Sequence, residues 1–490
     1  MSTQEEAVTA THKLLIDGRL IETGRTLPSI NPANGEVVGY APEAGVAEVD
    51  AAVVAARRAF DGTDWSTDHE FRARCLHQLY QALQDNVEQL RALMIAEVGA
   101  SYILTKGNQL EVPFEIVKYY AEVLQNYSWS EDLGPVEIRG AQHQRWVERE
   151  GAGVVAAIAA YNYPYQLAFA KLAPALAAGC TVVLKGAPDT PLITLALGEL
   201  IEQHTDIPAG VVNILSGSEV AAGERMTTHP DVDVVSFTGS TAVGRKIMAA
   251  ASETLKKVFL ELGGKSAAIL LDDADYNMGA MFAAFSICSH AGQGCAITTR
   301  LLVPRADHDK VAELVAENMA NISYGDPADP KNYMGPLISE RQRDKVHGLV
   351  ERAVAAGATL VAGGQKVDPG YFYQPTLLAN VDPDSEIAQE EVFGPVLAMI
   401  PSDDIDHAVR IANNSIYGLS GGVFGADADR ARSVARRIRS GTFSINGGNY
   451  FHPDAPFGGY KQSGVGREMG VVGMEEFMES KTIAEVVASA

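Results

Sequence analysis

The sequence contains little cysteine. Its 490 residues include four, Cys75, Cys180, Cys288 and Cys295. No two of them form a Cys-x-x-Cys pair, and none has a histidine at a metal-ligand spacing. A disulfide-stabilised scaffold and a structural zinc site are therefore not indicated, and we expect no metal. The pattern is typical of a protein kept in a reducing, cytoplasmic compartment.

Basic charge and long hydrophobic runs are also scarce. The chain has 39 Lys and Arg against 62 Asp and Glu, a formal net charge of −23. This excess argues against nucleic acid or an anionic membrane as a partner. No apolar run approaches the roughly 18 residues that span a bilayer. Residues 1–12 are polar and acidic and do not resemble a secretory signal, so we expect a soluble, cytoplasmic protein.

Apolar residues are abundant, at 47% of the chain, and the length is enough for two or more domains. After residue 150, apolar strands are predicted at 154–160, 181–184, 211–215 and 232–237. Helices are predicted between them, near 166–178, 191–204 and 219–228. Continuous apolar strands alternating with helices indicate a parallel sheet covered on both faces. The class is α/β, with a doubly wound, Rossmann-like domain whose ligands lie at the strands' carboxyl ends.

A second alternation begins after Glu261. Its predicted strands are 266–271, 300–303, 392–400, 418–424 and 442–445. Its predicted helices are 307–320, 340–356, 404–413 and 427–438. We therefore expect a second α/β domain.

Three further stretches read as strands outside these two patterns. Residues 13–41 hold short apolar pieces between turn signals and are predicted to form hairpin-like surface strands. Residues 128–150 are polar and alternating, and indicate either an ordinary edge ribbon or a subunit contact. The tail, 479–487, is strand-like and needs a partner sheet.

Cys295 is the main candidate for chemistry. Gly292 and Gly294 leave the backbone around it free of side-chain bulk, so a substrate carbon can approach the sulfur closely. A thiol is intrinsically nucleophilic and suits covalent attack on a carbonyl. The alternative is a small buried apolar residue. Glu261 and Asn162, upstream, make a carboxylate and an amide donor available.

Two strand ends suggest a phosphate-bearing ligand. The segment 237–244 closes a buried strand and opens a helix, with Gly239 in the turn and Ser240 as a capping residue. It lacks the third glycine of a dinucleotide fingerprint, so an ordinary helix start is the alternative. Lys185 ends another strand, either as a solvated charge or beside a ribose.

Five motifs occur in order along the chain. They are Phe-Thr-Gly-Ser at 237–240, Glu-Leu-Gly-Gly-Lys at 261–265, Gly-Gln-Gly-Cys at 292–295, Glu-Glu-Val-Phe-Gly-Pro at 390–395 and Pro-Phe-Gly-Gly at 456–459. With them, the sequence resembles the aldehyde dehydrogenase superfamily from about residue 13 to 485. The resemblance implies an NAD(P)-binding domain at 1–127 and 148–262, a catalytic domain at 263–470, and a small β oligomerisation hairpin or arm at 128–147 and 471–490.

The resemblance implies that Cys295 attacks the aldehyde to give a thiohemiacetal, which becomes a thioester after hydride transfer. The side chain of Asn162 and the backbone N–H of Cys295 would hold the oxyanion. Glu261 would be the general base that activates the hydrolytic water. Glu468 matches a carboxylate that assists proton relay in some members, with a structural salt bridge as the alternative.

The resemblance also implies a cofactor site. Its residues are Lys185 at the adenosine ribose, Gly239, Ser240 and Gly244 near the pyrophosphate, Glu391 and Phe393 at the nicotinamide ribose and ring, and Gln342 and Lys345 within reach of that ribose. Members strict for NAD usually carry a Glu where this chain has Pro188. We expect NAD, with NADP as the alternative and Asp189 as a partial substitute for the missing carboxylate.

The substrate pocket carried over from the family has walls at Tyr163, Leu167, Ala170, Gly294, Ala296, Phe451 and Phe457. No Arg is placed to hold a substrate carboxylate. A bulky, uncharged aldehyde is therefore expected, aromatic or terpenoid-like, with aliphatic chains as the alternative.

Two other functions are alternatives to hydrolytic aldehyde oxidation. A CoA-acylating relative would transfer the acyl group to CoA, but it has no need of a base for water at Glu261. A catalytically silent relative would keep the fold without Cys295, Glu261 and Asn162. The partners expected are a small-molecule aldehyde and a second copy of the chain, as a dimer or a dimer of dimers.

Overall fold

The structure, a computed structural model, describes residues 12–487. The prediction about a secretory signal falls almost wholly on residues 1–11, outside the described residues. The last residues of the predicted arm, 488–490, also lie outside them. None of the helices within 12–487 is long and apolar enough to cross a membrane.

The N-terminal third combines small strands with a set of helices. Its elements are β1 (Leu14–Ile16), β2 (Arg19–Ile21), β3 (Thr26–Ile30), β4 (Val37–Pro42), α1 (Val46–Gly62), α2 (His69–Asp85), α3 (Val87–Val98), α4 (Tyr102–Thr105), α5 (Glu111–Val123), β5 (Ser130–Asp132), β6 (Val136–Ile138) and β7 (Ala141–Gly151). The helices α1 and α2 bury one stripe each, at the apolar spacing that the sequence predicts.

The next segment alternates strand and helix. It contains β8 (Val154–Ile158), α6 (Pro164–Ala178), β9 (Thr181–Lys185), α7 (Pro191–His204), β10 (Val212–Leu215), α8 (Val220–Thr228), β11 (Val234–Thr238), α9 (Thr241–Ala251) and β12 (Lys257–Glu261). The strands β8 to β11 are buried along their length, apart from Ile158 at the end of β8, because helices cover both faces of their sheet.

The remainder repeats the alternation and ends in a long strand. Its elements are β13 (Ser266–Leu270), α10 (Tyr276–Cys288), β14 (Thr298–Pro304), α11 (His308–Ala320), α12 (Glu340–Ala355), β15 (Thr359–Ala362), β16 (Lys366–Val367), β17 (Phe372–Tyr373), β18 (Thr376–Ala379), α13 (Glu386–Gln389), β19 (Val396–Ser402), α14 (Ile405–Asn413), β20 (Gly421–Phe424), α15 (Ala428–Ala435), β21 (Ser444–Ile445), β22 (Gly464–Val465), α16 (Gly470–Glu475) and β23 (Met478–Val487).

The first large sheet has eight strands in the order β2-β1-β10-β9-β8-β11-β12-β22. The strands from β10 to β12 run parallel, and β1 and β22 join the two sides antiparallel. The chain moves outward from β8 through β9 to β10, then returns to the other side of β8 with β11. The carboxyl ends of β8 and β11 therefore form the switch point at which doubly wound sheets bind ligands.

The second large sheet has seven strands in the order β15-β18-β19-β14-β13-β20-β21. They are parallel except for β15. Each large sheet has its own hydrophobic core. The α/β architecture that the sequence predicts is confirmed.

A third sheet joins distant parts of the chain. Strand β23 pairs with β7 antiparallel from Met478 opposite Gly151 to Val487 opposite Gln142, and β5 and β6 pair with the other edge of β7. The polar stretch 128–150 and the tail 479–487 therefore share one sheet within the chain. A contact of this sheet with a second subunit stays a prediction.

Two local predictions were wrong. Residues 13–41 were expected at the surface, but β1 is buried because it pairs with β10 inside the first large sheet. The strand predicted at 392–400 begins only at Val396. Its first residues form a turn instead, in which Phe393 has a φ of 57° that a strand does not permit.

Candidate active site

The candidate site begins at the carboxyl ends of the first large sheet. Lys185 and Glu261 are the last residues of β9 and β12, and Ser240 lies two residues beyond β11. Asn162 lies in the short connection from β8 to α6. Parallel strands end at one edge of their sheet, so residues far apart in the sequence are brought to the same side of the domain.

Cys295 follows a tight turn. After α10, the 3₁₀ segment Ser289–Gly292 has three successive residues with positive φ: His290 at 46°, Ala291 at 51° and Gly292 at 72°. A Cβ on Gly292 would lie 2.1 Å from the carbonyl oxygen of Gly394. Only glycine fits there, because the turn packs directly on the backbone of the 390–395 motif.

Gln293 ties this turn to Asn162. Its buried side chain donates to the carbonyl of Pro336 at 3.3 Å and accepts from the N–H of Ile338 at 2.9 Å. Its backbone carbonyl accepts a hydrogen bond from Nδ2 of Asn162 at 2.9 Å. Gln109 in turn donates to the carbonyl of Asn162 at 2.9 Å. One N–H of the Asn162 amide is therefore bonded to the cysteine loop, and the other remains available.

The glycine pair after Glu261 packs against the same loop. A Cβ on Gly264 would lie 2.2 Å from the carbonyl oxygen of Cys295. The Gly264 N–H donates to Oε1 of Glu391 at 2.9 Å. The motifs at 261–265, 292–295 and 390–395 are therefore in direct backbone contact.

The Cys295 thiol lies at the wall of a cavity and is only partly exposed. Burial raises its pKa, and the negative charges of Glu391, Glu261 and Glu468 raise it further. The resting sulfur is therefore a neutral thiol, which must lose its proton in order to react as a thiolate.

Glu261 is 4% exposed, and neither carboxylate oxygen accepts a well-formed hydrogen bond from the described residues. Burial raises its pKa well above the usual range, and the neighbouring Glu468 adds to the shift, whereas Lys171 and Arg467 oppose it. The side chain lies against Gly458, where a Cβ would come within 2.8 Å of Oε1. Glu261 therefore lies behind the cavity and is not one of the residues that line it.

Glu468 does line the cavity, and it forms an ion pair with the fully buried Lys171. Lys171 also donates to Oγ1 of Thr238, at the end of β11, at 2.6 Å. The structural salt bridge considered for Glu468 is therefore present. A role of Glu468 in proton relay stays a prediction.

The predicted adenosine side of the site has one buried cation. Lys185 donates to the carbonyl of Gly217 at 2.6 Å, and burial lowers its pKa to about 8. Ser240 caps α9 by accepting from the N–H of Val243 at 3.4 Å. Gly244 permits this helix to pack closely, because a Cβ there would meet Leu262 at 2.7 Å.

Pro188 is exposed and supplies no charge. The next residue, Asp189, is half-buried; burial raises the pKa of its carboxyl group and the charge of Arg341 opposes that shift.

The predicted nicotinamide side is a turn held by α12. Gln342 donates to the carbonyls of Val392 and Phe393, at 3.1 and 2.9 Å, and Lys345 donates to the carbonyl of Glu391 at 3.3 Å. The Phe393 ring packs edge-on against Tyr161 at 6.0 Å between centroids. Gln342 and Lys345 therefore support the backbone that presents Glu391 and Phe393.

A cavity of about 720 Å³ opens beside Cys295. The structure brings all the predicted wall residues to it, namely Tyr163, Leu167, Ala170, Gly294, Ala296, Phe451 and Phe457. Asn162 lines it as well. Within residues 12–487 no group of three or more His, Cys, Asp or Glu side chains is arranged to hold a metal ion.

The sequence model of the aldehyde dehydrogenase family matches residues 21–483. The chain belongs to the aldehyde dehydrogenase family. The family resemblance read from the five motifs is thereby confirmed, as is the prediction that the protein is an enzyme.

Relatives of this aldehyde dehydrogenase match it over nearly its whole length. The mitochondrial aldehyde dehydrogenase of Leishmania tarentolae is 39% identical over 486 residues, covering 98% of this chain and 96% of that protein. The crystal structure of Mycobacterium tuberculosis aldehyde dehydrogenase complexed with NAD+ is 40% identical with a TM-score of 0.94, covering 99% of this chain and 100% of that chain. A mutant of Pseudomonas syringae aldehyde dehydrogenase C, complexed with NAD+ and octanal, is 38% identical with a TM-score of 0.92, covering 96% of each chain.

One wall of the cavity was missed by sequence reasoning. Helix α10 contributes Met278, Met281, Phe282 and Phe285, and the loop before α12 contributes Tyr333. The signal was present in the sequence, because residues 276–288 are apolar on all sides of the helix. Such a helix is either buried all round or faces the core on one side and a cavity on the other.

Proposed function

We propose that this enzyme oxidises an aldehyde to a carboxylic acid with NAD, through a covalent intermediate on Cys295. The observation that carries the proposal is the hydrogen bond between the Asn162 amide and the Gln293 carbonyl. It joins an oxyanion donor to the loop of a nucleophile, and both groups line one cavity.

The residues at the sheet's switch point fit a dinucleotide. A buried ammonium at Lys185 supplies donors for ribose hydroxyls, and the N-terminus of α9 supplies backbone N–H groups for a pyrophosphate. Glu391 and Phe393 would hold the nicotinamide ribose and ring. NAD supplies the acceptor for the hydride. We propose NAD because relatives are complexed with it; NADP is the alternative, since the uncharged Pro188 does not repel a 2′-phosphate.

In the first step, the Cys295 thiol gives up its proton to solvent, and Sγ bonds to the aldehyde carbon to give a thiohemiacetal. The developing oxyanion accepts hydrogen bonds from Asn162 Nδ2 and from the backbone N–H of Cys295. Loss of hydride leaves a thioester on Cys295. The Asn162 donor is oriented before the reaction, so little reorganisation accompanies the formation of charge.

In the second step, Glu261 takes a proton from a water whose oxygen bonds to the thioester carbon; the carbon–sulfur bond then breaks, which releases the carboxylic acid and frees Cys295. Because its pKa is raised, the Glu261 carboxylate is a stronger base than an exposed glutamate. Because Glu261 is seated beside Gly458, we propose that it acts from behind the cavity through the bound water. Its partner Glu468, paired with Lys171, is proposed to pass the proton onward.

An assay with hexanal or benzaldehyde tests this function. Reduced cofactor is expected with NAD and without CoA, and the same panel with NADP measures the cofactor preference. Product that forms only with CoA would show the acylating relative instead. No reduced cofactor under either condition would show a catalytically silent relative.

We propose that the β23-β7 sheet forms the oligomerisation arm of a dimer or a dimer of dimers. Strand β23 is an edge strand with nine exposed or half-exposed residues after the buried Met478 at its start, which is a template for pairing with another chain. We also propose that residues 1–127 and 148–262 form the NAD(P)-binding domain and that residues 263–470 form the catalytic domain.

We propose a cytoplasmic location as well, which the four free thiols support.

A further inference from the structure

The outer wall of the cavity is one face of α10. Met278, Met281 and Phe285 are spaced three and four residues apart and all line the cavity. They are 38%, 48% and 38% exposed, so that together they form a continuous apolar face at the cavity. At a rise of about 1.5 Å per residue, the seven steps from Met278 to Phe285 cover about 10 Å.

The rim of this wall is held in place. The Tyr333 ring packs edge-on against Phe285 at 5.3 Å, and its hydroxyl donates to the Phe285 carbonyl at 3.1 Å. Leu167 and Phe451 line the same cavity, as do Met278 and Met281. The thioether side chain of methionine adapts its shape to a flexible guest.

The cavity offers no positive charge to a substrate. Among the described residues that line it, none is Lys, Arg or His, and the carboxylate of Glu468 is already paired with Lys171. A carboxylate carried by the substrate would lose water there without gaining a partner. The cavity therefore disfavours semialdehydes, in which the substrate carries a carboxylate in addition to its aldehyde group.

We propose that this cavity binds the tail of an unbranched, uncharged aldehyde of about eight carbons or more, and that the α10 face formed by Met278, Met281 and Phe285 selects for that length. The inference rests on the proposed function. Three bonds of an extended chain span about 3.8 Å, so the 10 Å face matches about eight bonds. A flexible chain can follow the whole face, whereas a compact aromatic ring would contact only part of it.

A chain-length series from propanal to decanal tests the inference through kcat/KM. We expect a rise of about fourfold per added methylene up to about eight carbons, because each buried methylene adds a similar increment of binding. Met281→Asp is expected to lower kcat/KM for decanal about tenfold or more, and by a clearly larger factor than it lowers kcat/KM for propanal. Met248→Asp is the matched control, since Met248 is 43% exposed on α9 and does not line the cavity.

Binding of the unreactive alcohol 1-decanol, measured by calorimetry, separates this inference from catalysis. We expect 1-decanol to bind more tightly than 1-propanol, and Met281→Asp to abolish the difference. Melting temperatures of both variants verify that they are folded, and Phe285→Ser provides a second change in the same wall. A flat chain-length profile for an active enzyme, a preference for benzaldehyde over decanal, or equal binding of the two alcohols would overturn the inference. If 1-decanol binds as expected but no aldehyde is oxidised, the proposed function fails and the tail pocket stands.

Discussion

At the scale of single residues, the candidate chemistry depends on burial. Cys295 and Glu261 both have raised pKa values because they are largely removed from water, and they lie among other carboxylates. Burial and neighbouring negative charge favour the protonated forms of both groups, which become reactive when a proton moves. The residue types could be read from the sequence, but their protonation could not, because it depends on neighbours that folding brings together.

Replacing Cys295 with Ala should abolish turnover, by a factor on the order of 10³ or more, because Cys295 is the only thiol among the described residues that line the cavity. NAD binding, measured by calorimetry, should persist, because Lys185 and α9 belong to other elements. Cys288→Ala is the control: Cys288 is a buried residue of α10, and its replacement should leave turnover nearly unchanged. Turnover retained by the Cys295 variant would contradict its role as nucleophile.

Replacing Glu261 with Gln should slow deacylation about a hundredfold or more, since general base catalysis contributes at least that much. Rapid-mixing measurements should then show a burst of reduced cofactor followed by a slow phase. The same variant should be at least as stable as the wild type, because it removes the repulsion between two buried carboxylates. An unchanged steady-state rate would exclude Glu261 as the base.

The rate of deacylation should also rise with pH. Glu261 must be ionised to accept a proton, and its pKa in the folded enzyme is raised well above the usual value of 4.5. The rising limb should therefore lie at distinctly higher pH than for an exposed glutamate, and Glu261→Gln should remove it. A wild-type profile that is already flat above pH 5 would contradict the shift.

At the scale of elements, one buried carboxylate holds the start of α7, a helix that packs on the first large sheet. Glu97, at the end of α3, accepts hydrogen bonds at 2.8 Å from the N–H groups of Leu192 and Ile193 in the first turn of α7. Ser29 donates to it at 2.7 Å. A carboxylate at a helix N-terminus satisfies unpaired N–H groups and complements the helix dipole.

Because burial raises the pKa of Glu97 to about 7, its folded state binds a proton more tightly than the unfolded chain does. Its contribution to stability is therefore complete below its unfolded value of 4.5 and is lost as the pH rises through about 7. Through Glu97, the free energy of unfolding is about 3 kcal/mol lower above pH 7 than below pH 4.5. Urea unfolding at a series of pH values measures this change in the free energy of unfolding.

Glu97→Ala should lower the free energy of unfolding by about 2 kcal/mol or more at pH 5, because two helix N–H groups lose their acceptor inside the protein. Glu97→Gln keeps one acceptor and cannot titrate, so its stability should vary less with pH between 5 and 8. Equal pH dependence in the wild type and in Glu97→Gln would assign the effect to other groups.

At the scale of the whole molecule, two cores and a projecting sheet are joined by contacts between distant segments. Strand β22 belongs to the edge of the first large sheet although it follows the second large sheet in the chain. Strand β23 then pairs with β7 along its full length. The free edge of β23 is the feature through which the proposed assembly would form.

A charge on that strand should weaken the assembly. Val486 is 63% exposed near the end of β23, and Val486→Asp should shift the sedimentation coefficient toward a smaller species. Val220→Asp is the matched control, because Val220 is 74% exposed on α8, which is not part of the β23-β7 sheet. A wild-type protein that sediments as a monomer would remove the proposal of an oligomer.

The sequence by itself determined the α/β class, four strands of the first large sheet, five strands of the second and the ordered motifs around Cys295. Continuous apolar strands and glycines at close backbone contacts are local signals, and they stay readable without a structure. The wall residues carried over from the family also converge on one cavity, together with Cys295 and Asn162.

Only the tertiary structure decided which distant groups meet. It buried β1 by pairing it with β10, placed Glu261 behind the cavity against Gly458, paired Glu468 with Lys171 and brought Glu97 to the start of α7. It also turned one face of α10 into a cavity wall. The periodicity of a segment reports which of its faces is apolar, but whether that face meets a core, a partner or an open cavity depends on how the elements pack together.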